Sequence, residues 1–326
     1  MLFSFSCSSS CWHGEICDSG DTGCKGTLRQ SVHDFRIRSV REGSHVARFN
    51  NFIYPVDTTV LLFLFLYQCV AGPKADLDST VISQPAIFVS SMACVEKLKV
   101  VDPEAIESCT VAMGLSLGEY SALCFAGAFS FEDGVRLTMA RGEAMQAASD
   151  ANPSGMVAII GLDTVKVQQI CDAAALQSGK PISIANFLGE KNYAISGAKE
   201  ACQAAIELAP GFGSRMTVPL SVAGAFHTTL MQPAVASLKE VLDRVNISRP
   251  RIPVVSNVDA RARLDPQDIR DSLLRQVTHP VQWETIIGGM VRAPEFQKAY
   301  ELGPGTVCRG LVKRHGKQFE VISVSP

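Results

Sequence analysis

Gly114-Leu115-Ser116-Leu117-Gly118-Glu119-Tyr120 decides how this chain folds. It is a G-x-S-x-G string with an apolar run, Thr110–Gly114, before it and a helix-like run, Glu119–Ala128, after it. Strand, sharp turn and helix are predicted in that order. Glycines are needed on both sides of such a turn, where the backbone is cramped, and the serine oxygen is then thrust out at the top of a sheet. By composition alone the string would occur by chance in about one chain in ten of this length; its strand-to-helix setting is the confirming condition. Ser116 is therefore a candidate nucleophile. The Leu117 N–H, at the head of the following helix, is a candidate donor to a developing oxyanion.

Downstream, Phe131–Ala148 reads as a helix with Val135, Leu137, Met139 and Ala144 as its apolar positions, interrupted by Arg141. A lone arginine there is either a salt-bridge partner or a bidentate clamp for a carboxylate. Residues 155–220 read as a separable unit. Met156–Gly161 is a strand, and Asp163–Gln177 a helix with Asp163 as N-cap. Ile182–Phe187 and Asn192–Gly197 are strands, Ala198–Leu208 a helix and Arg215–Leu220 a last strand. That order, βαββαβ, is ferredoxin-like. The fold class expected is α/β, a hydrolase-like parallel-sheet domain (71–154 and 221–326) with an inserted ferredoxin-like small domain (155–220).

Upstream the pattern changes near Ala71. Residues 1–50 are rich in Ser, Cys and Gly with no strand or helix period, so 1–70 is expected to be a leader outside the α/β pattern, disordered or mis-assembled. A transit peptide would normally be poorer in acids than a segment with Glu15, Asp18, Asp21 and Asp34. The apolar run Val60–Tyr67 is too short to span a bilayer and reads as a buried strand or piece of helix. The chain has 326 residues, 47% of them hydrophobic, enough for a sizeable core. Its net charge of −2 disfavours nucleic acid and anionic membrane as partners. Of 11 cysteines, those after position 90 sit singly in apolar contexts and read as small buried hydrophobes of a reducing compartment. Cys7, Cys11, Cys17, Cys24 and His13 match no zinc spacing, so no metal is expected.

A nucleophilic serine needs a base. His13, His33 and His45 lie in the leader, His279 precedes a proline and His315 sits among Lys313, Arg314 and Lys317. His227, in Gly224-Ala225-Phe226-His227-Thr228, stands where the chain re-enters the large domain, which makes it the best candidate on position. A buried or capping histidine fits that position as well.

Six stretches in order carry a family resemblance: G-L-S-L-G-E-Y-S-A-L from 114, M-A-R-G-E-A-M-Q from 139, G-A-F-H-T-T-L-M from 224, V-S-N-V-D from 255, R-Q-V-T-H-P-V-Q-W from 275 and E-L-G-P-G from 301. Over roughly 72–326 the chain resembles malonyl-CoA:acyl carrier protein transacylases. The resemblance implies that Ser116 attacks the thioester of malonyl-CoA and that His227 takes its proton and later activates the phosphopantetheine thiol of acyl carrier protein. It implies that Arg141 holds the malonyl carboxylate, that Leu117 supplies one oxyanion N–H and that the Gln276 main-chain carbonyl orients His227 in place of an acid. Phe226 resembles the malonyl-selecting form; crowding one methyl is worth about 1–3 kcal/mol. No cofactor is implied, coenzyme A thioester being a substrate. Partners implied are malonyl-CoA and an acidic carrier protein, met by a basic surface to which Arg309, Lys313, Arg314 and Lys317 are candidates; a monomer without a membrane span is expected, in an organelle, plastid or mitochondrion.

Two features depart from the family. Leu115 replaces a histidine often found before the nucleophile. The Gly-Gln-Gly turn after the first strand, whose glutamine amide is the second oxyanion donor, is not found before Ala71, and a central strand would be missing with it unless Val60–Tyr67 fills the slot. Losing one such donor costs about 2.7–4 kcal/mol. Two other readings stand beside acyl transfer: a general serine hydrolase, with its acids poorly placed at Asp163 and Asp172, and a catalytically impaired homologue that binds acyl carrier protein.

Overall fold

The computed structural model describes residues 1–3, 36–39, 45–49, 52–55, 79–316 and 319–326. The first strand, β1 (Leu2–Phe3), is followed by β2 (Arg36–Ser39), β3 (His45–Phe49) and β4 (Phe52–Pro55). Next come α1 (Thr80–Val101), α2 (Pro103–Glu107), β5 (Ala112–Gly114), α3 (Gly118–Phe125) and α4 (Phe131–Ala151). The insert contributes β6 (Ser154–Ile160), α5 (Thr164–Ser178), β7 (Ile182–Gly189), β8 (Asn192–Ala198), α6 (Lys199–Leu208) and β9 (Met216–Pro219). The chain ends with α7 (Gln232–Arg244), β10 (Val254–Val255), β11 (Ala262–Arg263), α8 (Pro266–Gln276), α9 (Trp283–Arg292), β12 (Lys298–Leu302), α10 (Val307–His315) and β13 (Glu320–Val324).

The main sheet has six strands in the order β11-β10-β5-β1-β12-β13, parallel except for the edge pair β10–β11. The central slot expected to be missing is filled, and by the first residues of the chain: Leu2 pairs with Met113 and Glu301, Phe3 with Gly114 and Leu302. Both side chains are fully buried, as a strand covered on both faces requires. The expectation of a leader starting at residue 1 is thus corrected. Two apolar residues are too short a run to show a period. Val60–Tyr67, the other candidate for that slot, lies outside the described residues, as does the cluster Cys7, Cys11, His13, Cys17 and Cys24.

A second correction concerns β2, β3 and β4, which form a three-stranded antiparallel sheet within a compact unit spanning Trp12–Leu77. Their segments hold Ile37, Val46, Phe49, Phe52, Ile53 and Tyr54, strand-favouring types, but as short runs among charges, which hid them from a periodicity reading.

The insert matches its expected order. Its sheet runs β7-β8-β6-β9, all antiparallel, with Val167, Ile170, Cys171 and Ala174 of α5 packed into the same core as Ile159, Ile184 and Ile195. Asp163 caps α5 by accepting from the Lys166 N–H at 2.9 Å. Strand β7 is stitched to the main chain segment before α9: Phe187 N–H donates to the Val281 carbonyl at 2.9 Å and Val281 N–H to the Ala185 carbonyl at 2.8 Å.

Close approaches set the positions of the two helices that matter most. A Cβ on Gly118 would lie 2.3 Å from the Phe3 carbonyl oxygen, so α3 starts directly against β1. A Cβ on Gly142 would lie 2.6 Å from the Thr80 carbonyl oxygen, so α4 runs tight against the start of α1. The Phe3 ring meets Phe125 of α3 at 5.8 Å between centroids. Phe3→Ala is expected to destabilise the protein by about 3–5 kcal/mol in urea unfolding; an unchanged midpoint would show that β1 is not part of the folded core.

Candidate active site

Ser116 occupies the turn between β5 and α3 with φ of 51°, a left-handed conformation that costs a non-glycine residue of order 1–3 kcal/mol. The turn closes because a Cβ on Gly114 would meet the Gly118 backbone at 2.1 Å. Asn257 holds it. Its Oδ1 accepts the Ser116 N–H at 2.6 Å and its Nδ2 donates to the Gly114 carbonyl at 2.7 Å. The Leu117 N–H lies at the head of α3, among the helix-start donors that have no intrahelical acceptor.

Ser116 Oγ is 2.8 Å from His227 Nε2, and His227 Nδ1 is 2.8 Å from the Gln276 main-chain oxygen. A carbonyl only accepts, so Nδ1 carries the proton and Nε2 turns its lone pair to the serine. Gln276 is the last residue of α8, where carbonyls have no intrahelical donor and the helix dipole is negative. The next carbonyl, of Val277, accepts the His227 N–H at 3.1 Å, and His227 too has positive φ, 62°. One helix end thus fixes the imidazole by backbone and ring. Burial, with the charge of Arg141, pushes the His227 pKa down to about 4, so the ring is neutral at pH 7.

Arg141 is only 1% exposed. It falls on the buried stripe of α4 with Leu137, Ala144, Met145 and Ala148. Its Nη1 donates to Gln84 Oε1 at 2.7 Å, and its Nη2 to Gln276 Oε1 at 3.0 Å and Ser116 Oγ at 3.1 Å. The guanidinium also lies over the Tyr120 ring, 5.4 Å from its centroid. Instead of the salt bridge that was one of the two readings open from the sequence, the group is a buried cation held by two amide oxygens beside the serine. Phe226 is buried next to His227 in the chain.

Three further residues belong to the site and were not singled out in the sequence. Asn257 and Glu119 lie inside the quoted stretches; Gln84 lies on α1, in no motif. Glu119, 3% exposed, accepts from Gln276 Nε2 at 2.6 Å and from the Asn257 N–H at 3.0 Å through the same Oε2. Burial raises its pKa to about 7, against the pull of those hydrogen bonds and of Arg141. Among the described residues no group of His, Cys, Asp and Glu is arranged to hold a metal ion.

The acyl transferase domain family matches residues 44–320. The chain belongs to the malonyl-CoA–acyl carrier protein transacylase family. The mouse mitochondrial malonyl-CoA-acyl carrier protein transacylase is 37% identical over 309 residues, 91% of this chain and 77% of the mouse protein. The Bacillus subtilis transacylase is 38% identical over 254 residues, 78% of each chain. The crystal structure of an acyl-carrier-protein S-malonyltransferase from Bartonella henselae superposes with a TM-score of 0.77 at 35% identity, covering 82% of this chain and 84% of that one. A malonyl-transacylase solved in complex with a type II polyketide acyl-carrier protein gives 0.76 at 32%, covering 82% and 85%. The family match begins at residue 44, upstream of the roughly 72–326 over which the resemblance was read, so the likeness reaches into the segment read as a leader.

The histidine pKa has a direct consequence. Labelling of Ser116 by a neutral fluorophosphonate needs unprotonated His227. Its rate is expected to hold level as pH falls past the ordinary histidine value of about 6.5 and to drop only on approaching about 4. A midpoint near 6.5 in stopped-time labelling would show that burial and Arg141 do not govern the base.

Proposed function

We propose that this protein transfers malonyl from malonyl-CoA to the phosphopantetheine thiol of acyl carrier protein, in the supply of fatty acid synthesis, through a malonyl-Ser116 ester. The observation that carries this reading is the pair of contacts on one oxygen: Ser116 Oγ has His227 Nε2 at 2.8 Å and Arg141 Nη2 at 3.1 Å. A neutral acyl group gives a buried cation at that spot no task; an acyl group ending in a carboxylate does.

In the first half-reaction Ser116 Oγ attacks the thioester carbonyl while His227 Nε2 takes its proton. The C–S bond breaks and the imidazolium returns the proton to the coenzyme A sulfur. In the second, His227 takes the proton of the carrier's thiol, the sulfur attacks the ester carbonyl, the bond from the acyl carbon to Ser116 Oγ breaks, and the proton returns to that Oγ. The Gln276 carbonyl, at the negative end of α8, stabilises the imidazolium each time. The Leu117 N–H donates to the oxyanion. Arg141 pairs the malonyl carboxylate bidentately, and Phe226 narrows the space beside the α-carbon. Every proton is carried by these side chains, so the route calls on no cofactor. Support for a carrier protein as acceptor comes from the named relatives and from the similar transacylase solved with its carrier protein. We assign β1 together with residues 71–154 and 221–326 to the catalytic domain and 155–220 to the insert. An organelle is the proposed compartment, mitochondrion before plastid, since the mouse and human relatives are mitochondrial enzymes; no helix among the described residues is long and apolar enough to cross a membrane.

Ser116→Ala is expected to abolish labelling by radioactive malonyl-CoA; retained label at another residue would sink the acyl-serine route. Arg141→Ala is expected to lose about 2–5 kcal/mol of transition-state binding for malonyl-CoA, read from kcat/KM, and to lose far less for acetyl-CoA. Equal losses for both substrates would remove Arg141 as the carboxylate's partner.

A further inference from the structure

Tyr120 is the third residue of α3, one turn of chain past Ser116. Its side chain is fully buried and lies against Arg141, whose guanidinium carbon is 5.4 Å from the ring centroid. A buried tyrosine hydroxyl ordinarily finds a hydrogen-bond partner; among the described residues this one has none. The guanidinium has the same shortage at one place. Nη1 donates to Gln84, and Nη2 to Gln276 and to Ser116 Oγ, but the single hydrogen of Nε meets no acceptor among the described residues. The two side chains are close enough to act on each other's ionisation, yet the hydroxyl and Nε are not aligned to bond to each other. Leaving a buried polar group unpaired is costly. Two such groups on neighbouring side chains, beside the nucleophile, point to a ligand.

That ligand must be an acceptor, because Nε–H and a protonated phenol both donate. Burial pushes the Tyr120 pKa up to about 12, so the phenol keeps its proton in neutral solution. Beside a buried guanidinium an anionic acceptor is favoured over a neutral one. A carboxylate meets both conditions, and its two oxygens offer about four lone-pair sites. Nε–H and the adjoining N–H of Nη2 form one edge of the guanidinium fork, with a spacing that matches a carboxylate. Nε is also the nitrogen at which an incoming oxygen displaces no existing bond.

We propose that Tyr120 is a substrate-binding residue: its O–H donates to the carboxylate of the acyl group while Arg141 pairs the same carboxylate through Nε and Nη2. This rests on the malonyl-transfer reading and deepens it, naming a neutral second donor and the edge of Arg141 that is used. The reach is suitable. In a malonyl ester only the acyl carbon and one methylene separate the carboxylate from Oγ, and Nη2 starts 3.1 Å from that oxygen. Gln84 and Gln276 hold the guanidinium from other sides with their amide oxygens. A neutral acyl group such as acetyl leaves the hydroxyl and Nε–H unpaired, and a site built to hydrogen-bond one group rejects an analogue that lacks it.

The test is Tyr120→Phe, which removes the hydroxyl and keeps the ring beside the guanidinium. Measured are kcat/KM for malonyl-CoA and for acetyl-CoA, and the thermal midpoint. The malonyl-to-acetyl ratio is expected to fall by about 10- to 100-fold, with the fall carried by the malonyl-CoA value. The midpoint is expected to hold or rise, because the variant buries one unpaired polar group fewer. A hydroxyl that serves only the fold, or only a buried water, would lower both rates together or neither. The ratio would then stay put, and that result overturns the proposal. A second arm uses the unmutated protein and so does not depend on the variant folding. Its purified malonyl-Ser116 ester is expected to show a shifted tyrosine ultraviolet band relative to its acetyl ester; identical spectra overturn the proposal. A protein that forms no malonyl-Ser116 ester overturns the transfer reading and this proposal with it, whereas an active one with an unmoved ratio overturns this proposal alone.

Discussion

Everything at the site hangs on how closely α3 can approach β1 and β5. The turn at Ser116 holds a non-glycine residue at φ 51°, which is tolerable only if neighbouring contacts over-determine it. They do so by the lack of side chains at Gly114 and Gly118, by the Phe3 carbonyl against Gly118 and by the two-sided grip of Asn257. Each comes from a different part of the chain: the first three residues, the strand before the serine and the loop after β10. The strain is local, but what holds it is spread over the whole parallel sheet. That is why Leu2 and Phe3, far from Ser116 in sequence, matter to its geometry.

The second constraint is a buried positive charge. A guanidinium out of water must be hydrogen-bonded and balanced. Here Gln84 and Gln276 meet its N–H groups and Glu119 acts on it by charge. Amide oxygens are weaker acceptors than a carboxylate. The Arg141 Nε has no hydrogen-bond partner among the described residues, so the guanidinium is held at its two outer nitrogens without a direct ion pair, and an arriving carboxylate finds a cation not yet directly neutralised. A direct Arg141–Glu119 ion pair would have been more self-contained and would have left nothing for a substrate to complete.

Much of this was legible beforehand, for reasons that also explain what was not. The insert showed because its strands and helices are long enough to display a period and because Asp163 punctuates α5. Ser116, His227, Arg141 and the Gln276 carbonyl, the set the family resemblance pointed to, lie within hydrogen-bond reach of one another. Asn257 and Glu119 sat in quoted motifs, but a polar residue that only holds other residues leaves no spacing rule to read. Gln84 lies on a helix with buried residues on nearly every side, so no amphipathic stripe marks it as out of place. Leu2–Phe3 is shorter than any period, β2 and β3 are brief runs broken by charges, and β4 is only four residues long. Each miss concerns either an element too short for a pattern or a side chain whose partner is distant in sequence.

The site has no acid behind its histidine, and the charge arrangement makes sense of that. Arg141 and burial together keep His227 far below its ordinary pKa, so in the empty protein the imidazole is a weak base and Ser116 a poorly activated nucleophile. An aspartate in place of the Gln276 carbonyl would strengthen the base permanently and would serve any ester or water molecule that entered. On the proposed reading, a malonyl carboxylate seated on Arg141 cancels the smaller of the two effects that depress the imidazole, burial being the larger, so the base strengthens when an acid-bearing acyl group is in place. Interactions that appear only with the right substrate favour its transition state without equally favouring that of water or neutral esters. A carbonyl at a helix end, polar but uncharged, is the partner that leaves room for this. It fixes the tautomer and the direction of the ring while leaving the charge balance to Arg141, Glu119 and the substrate.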